Sequence, residues 1–102
     1  MNTTITKNEA ISDIRAVQRI LVRGRRPRSK AIRIENAIEL DKVVSCLTDD
    51  ANYIDNGGAK ISRANAATLL GECSHYAFVK DKQLCMRINE LSLSVYNQVE
   101  ML

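Results

Sequence analysis

The stretch HYAFVKDKQLCMRI, residues 75–88, decides which fold class the chain enters. Tyr76, Phe78 and Lys80 alternate with Ala77 and Val79, and beyond Asp81 and Lys82 the residues Leu84, Met86 and Ile88 alternate with Cys85 and Arg87. A period of two sends successive side chains to opposite faces, as in a half-buried strand. Two such runs joined by a polar pair predict a β-hairpin. With helices on either side, the expected class is α+β and mainly helical: about three helices, the hairpin and a C-terminal helix, in a winged-helix-like arrangement.

The helical expectations rest on caps and spacing. Thr6-Lys7-Asn8-Glu9 has the form of a capping box, in which the threonine hydroxyl accepts from the third amide on and the glutamate reaches back. It opens a first helix over residues 7–22, with Ala10, Ile11, Ile14, Val17 and Leu21 on one face. Asn36 is read as the cap of a second helix over 37–48, whose seam is Ala37, Leu40, Val44 and Leu47. The AIRIE segment before it, residues 31–35, is either a short strand or the lead-in to that helix. TDDANYIDNGG, residues 48–58, is turn-forming. Ser62 caps a third helix, SRANAATLLGE, that stops near Gly71; its small residues suit close packing against a neighbour. The tail reads as a helix from Asn89, although Leu91, Leu93 and Val95 also alternate as in a strand.

At 102 residues with 45% hydrophobic content, the chain is sized for one domain spanning 1–102. It has three tyrosines, one phenylalanine and no tryptophan, so an aliphatic core is expected. The opening residues lack a secretory pattern, and no apolar run approaches the ~20 residues that span a bilayer. The expected location is the cytoplasm, where Cys46, Cys73 and Cys85 would stay reduced.

Charge is uneven. The overall balance is +3, yet residues 1–33 hold nine lysines and arginines against Glu9 and Asp13, a net of +7. Residues 34–102 hold six against ten acidic residues, a net of −4. The basic half faces a polyanion, an acidic protein, or its own acidic half. Arg15, Arg19 and Arg23 form a row along the first helix that runs into the turn RGRRPRSK, residues 23–30, where Gly24 and Pro27 end the helix. Arg25, Arg26, Arg28 and Lys30, with Arg33 beyond, extend the set. Guanidinium groups bond phosphate in bidentate fashion and suit narrow, electronegative grooves.

Gly24, Arg25, Arg26, Pro27 and Arg28 resemble the core of the AT-hook, with one extra arginine before the proline. That resemblance implies minor-groove contact. Ala66, Ala67, Leu69, Leu70 and Gly71 resemble the Ala-Ala-x-Leu-Leu-Gly helix of the excisionase and MerR-like winged families. It implies a recognition segment from Ser74 to Lys80, offering His75, Tyr76 and Lys80 to base edges, and a wing carrying Lys82 and Arg87.

Other chemistries find less support. Cys73 and His75 are a single mixed pair, short of the paired ligands of a zinc site, so no metal or other cofactor is expected. The same two residues lack an orienting third group and oxyanion donors, so no enzyme is expected. The acidic belt of Glu35, Glu39, Asp41, Asp49, Asp50 and Asp55 does not follow the calcium-loop order; it is a solvated surface or a partner for another copy's basic turn. The expected function is therefore nucleic-acid binding, duplex DNA first, in a regulatory or accessory role. The alternative is an adaptor or inhibitor that docks its basic face on an acidic protein, and a homo-oligomer is compatible with either.

Overall fold

A computed structural model describes residues 5–24, 30–48, 61–78 and 80–97. They form four helices: α1 (Lys7–Arg23), α2 (Lys30–Thr48), α3 (Arg63–Phe78) and α4 (Lys82–Tyr96), with no strand among the described residues. The α+β expectation is thereby corrected to an all-helical fold.

The hairpin fails for a specific reason. The alternating pattern put Met86 on one face with Leu84 and Ile88, yet Met86 is 57% exposed, while Leu84 and Ile88 are buried; Phe78 is likewise 53% exposed. The core-facing residues of this stretch are Cys73, Ser74 and Ala77 at the end of α3, then Leu84, Cys85, Ile88 and Leu91 on α4. Their spacings of three and four are helical. Asp81, read as part of a turn between strands, is the N-cap of α4: its Oδ1 accepts from the Leu84 amide at 3.1 Å. Lys82 and Arg87, placed on a wing by resemblance, are therefore helical residues, and the winged arrangement is absent from the described residues.

The other boundaries move for related reasons. Gly71, expected as a stop, lies inside α3. Asn36 and Asn89, expected as caps, lie inside α2 and α4. Residues 31–35 belong to the first turns of α2 rather than to a strand, with Ile32 exposed and Arg33 buried. Thr6 does cap α1, its Oγ1 accepting from the Glu9 amide at 3.1 Å, and Ser62 Oγ accepts from the Asn65 amide at 3.1 Å ahead of α3. Gly24 closes α1 by donating to Ile20 O at 2.7 Å. A Cβ there would lie 2.8 Å from that same carbonyl, so glycine is required by the close approach.

The helices are organised as two antiparallel pairs. Along α1 and α2, Arg15 meets Asp41, Gln18 meets Ala37 and Leu21 meets Arg33. Along α3 and α4, Ala67 meets Ser92, Ser74 meets Asn89 and Phe78 meets Lys82. Partner numbers fall on one helix as they rise on the other, which is the register of an αα-hairpin. α1 and α3 each touch all three other helices, while α2 and α4 do not touch each other among the described residues. Ile14, Val17, Leu21, Leu40, Leu70, Ile88 and Leu91 are fully buried between the pairs. Burying each such side chain contributes about 1.5–3 kcal/mol before entropy is charged against it.

One consequence positions the candidate site. Asp13 accepts from Arg87 Nε at 3.0 Å, while Ile20 and Leu84 line one groove, so α1 and α4 also run antiparallel. The end of α1, the start of α2 and the α3/α4 turn thus lie at one end of the molecule.

Candidate nucleic-acid interface

The row of arginines on α1 is divided by its neighbours. Arg15 Nη1 bonds Asp41 Oδ1 at 2.6 Å and Gln18 Oε1 at 2.8 Å. Gln18 Nε2 in turn donates to Asp41 Oδ1 and to Ala37 O, both at 2.8 Å. The Gln18 amide, and after it the Arg15 guanidinium, hold the Asp41 carboxyl below the ordinary carboxylate range. Arg15 is thus engaged by the acidic half of its own chain.

Arg33 is used differently. It is 5% exposed, and its Nη1 donates to Leu21 O at 2.7 Å. The guanidinium satisfies a carbonyl at the C-terminal end of α1, where positive charge also opposes the helix dipole. This position is interior to the α1/α2 pair rather than on a phosphate-facing surface.

Arg19, Arg23, Lys30, His75, Lys80 and Lys82 are all exposed. Lys30 opens α2, His75 sits in the last turn of α3, and the Lys82 ammonium lies 5.7 Å from the centre of the Phe78 ring. Arg25, Arg26 and Arg28, and with them most of the AT-hook-like match, lie outside the described residues, as do Asp49, Asp50 and Asp55 of the acidic belt.

Arg19, Arg23 and Lys80 converge although far apart in sequence. They border an open groove of about 380 Å³ between the end of α1 and the start of α4, with Ala16, Ile20, Gly24, Asp81 and Leu84 as its other walls. No ion pair engages these three cations among the described residues, whereas Arg15, Lys42 and Arg87 are paired with Asp41, Glu39 and Asp13. Sequence reading assigned Arg19 and Lys80 to separate stretches because it placed Lys80 on a strand. The signal that joins them is the cap Asp81 followed by Leu84, Ile88 and Leu91, which starts a helix and so puts Lys80 in a turn.

The thiol and imidazole are separated by the helix. Residues two apart on a helix point about 200° away from each other, and accordingly Cys73 is buried while His75 is exposed. Burial, with a smaller contribution from Glu72, pushes the Cys73 thiol up to about 12. Cys46, Cys73 and Cys85 are all buried and no disulfide joins them. No three His, Cys, Asp or Glu side chains gather as metal ligands among the described residues.

Two further surface features complete the picture. Met86, Leu93 and Tyr96 are exposed on α4, on the side turned from the core. No described helix is long and apolar enough to cross a membrane. No protein-family model, curated protein or solved structure matches this chain, so any function has to come from the side chains themselves.

Proposed function

We propose that this protein binds nucleic acid, duplex DNA first, through the basic end formed by α1, α2 and the α3/α4 turn. The observation that carries this reading is the convergence of Arg19, Arg23 and Lys80, from two distant stretches of sequence, around one groove with no ion pair among the described residues. Unpaired cations of this kind neutralise phosphates and release counterions. Lys30 and Lys82 open α2 and α4 and His75 lies in the last turn of α3, and Arg25, Arg26 and Arg28 follow Gly24 in the sequence. Phosphate contacts position a protein on the duplex without reading bases, so the output is occupancy: repression, bending, or assistance to a larger DNA-processing complex. No covalent step is involved. The compartment is the cytoplasm, which three cysteines without a disulfide fit.

The test is a mobility shift on random duplex DNA at two salt concentrations. Wild type binds at low salt and weakens with a slope of about −0.9 per phosphate neutralised. Arg19→Gln/Arg23→Gln/Lys80→Gln loses most of that binding, while Arg15→Gln, altering a cation already paired, loses little. Absence of any shift at low salt defeats the reading.

The exposed Met86, Leu93 and Tyr96 favour a second reading, a protein-binding adaptor with an acidic partner. Binding of that kind keeps an apolar component and survives salt that dissociates phosphate contacts.

A further inference from the structure

The groove at the basic end is not only a patch of charge. Arg19 and Arg23 are four residues apart on α1, where like charges repel, and Lys80 adds a third cation across the groove. One turn earlier the same helix face relieves its charge internally, through Arg15 and Asp41. Among the described residues the carboxylate lining the groove is Asp81, and its Oδ1 is already engaged as the cap of α4. Among the described residues, three positive charges against one negative leave an excess of two. That is close to the charge of a phosphate monoester, roughly −1.5 to −2 at neutral pH.

The walls add a second requirement. Ala16 and Ile20 are partly buried and, with Leu84, give the groove an apolar side beneath its cationic rim. A volume of about 380 Å³ lies within the range of small-molecule sites, roughly 300–1,000 Å³. Inorganic phosphate would leave that apolar side in water, and among the described residues no aromatic side chain lines the groove to stack a base. The complementary ligand therefore has a dianionic head and a compact aliphatic body.

We propose that this groove binds a soluble phosphate monoester with a small apolar substituent, the phosphate on Arg19, Arg23 and Lys80 and the substituent against Ala16, Ile20 and Leu84. Occupancy neutralises the cations at the heart of the basic end, so the ligand competes with nucleic acid and acts as an effector that releases it. The competition, though not the site, rests on the nucleic-acid reading above.

The probe is hexyl phosphate, titrated into the full chain alongside inorganic phosphate and followed by backbone amide shifts. Hexyl phosphate binds at least about tenfold more tightly than inorganic phosphate, as burial of a few methylenes implies, and shifts centre on Gly24 and Leu84. Arg23→Gln/Lys80→Gln weakens it about tenfold or more, as loss of charge-assisted bonds implies. Ala16→Leu, which fills the groove without altering charge, removes the preference for hexyl phosphate. Equal affinity for the two phosphates, shifts centred elsewhere, or Ala16→Leu binding as wild type does while retaining its helical circular dichroism would each overturn the site. Hexyl phosphate bound in the groove by a protein that shifts no DNA sustains the site and removes only the nucleic-acid reading. DNA binding without any hexyl phosphate binding removes only the site.

Discussion

The two helical hairpins solve the same packing problem with different side chains. α3 and α4 meet through small residues: Ala67, Gly71 and Ser74 face α4, and hydroxyls replace long side chains as the polar links, with Ser92 Oγ donating to Ala67 O at 2.6 Å. α1 and α2 are tied along their edges by long ones, Arg15, Gln18 and Arg33, which reach across to a carboxylate or a carbonyl. Small residues bring backbones together and leave little to offer a partner. Long charged residues span a wider gap, and those that find no internal acceptor remain on the surface. The contrast explains why Arg19 and Arg23 are available beside Arg15, which is not.

Enlarging the small-residue seam is the sharpest way to break this contrast. Ala67→Leu forces a branched side chain into the α3/α4 contact and is expected to cost about 1–3 kcal/mol, read as a lower urea midpoint with an unchanged m-value. A smaller effect of opposite sign is expected next to it. Gly71 lies inside α3, and a Cβ there meets only Ser92 Oγ at an ordinary 3.7 Å. Gly71→Ala therefore stabilises by about 0.5–1 kcal/mol through helix propensity alone, raising the thermal midpoint.

The charged seam responds less, and to pH. Because the Asp41 carboxyl is held below its ordinary range by Gln18 and Arg15, its contribution is present above the unfolded value of about 4 and is lost as pH falls through the lower folded value. Both Arg15 and Asp41 are about half exposed, so water screens the pair. Asp41→Asn is expected to cost less than about 1 kcal/mol at neutral pH. The difference from wild type narrows in urea titrations carried out progressively below pH 4.

These contrasts also separate what the sequence discloses from what it conceals. α1 was legible because its cap and its large apolar residues agree: Thr6, Ile14, Val17 and Leu21 all lie where the pattern puts them. The α3/α4 hairpin was not, because a periodicity read from large residues misleads wherever small ones fill the interface. Cys73, Ser74 and Ala77 carry the helical face there, and the bulkier Phe78 and Met86 point to solvent. The basic row was visible in the chain, but its division was not. That Arg15 pairs with Asp41, Arg33 is buried under α1's last turn, and Lys80 joins Arg19 and Arg23 are facts of the third dimension.

The bond between Asp13 and Arg87 links residues 74 apart in the chain. Each hairpin, by contrast, closes over a short connection, three residues between α3 and α4 and six between α1 and α2. Loop closure costs entropy that grows with separation, and local contacts form before distant ones. The two hairpins are therefore expected to form ahead of their docking. The boundary between α1 and α4, where the cationic groove lies, is then expected to assemble last and to be the plane along which the molecule opens locally.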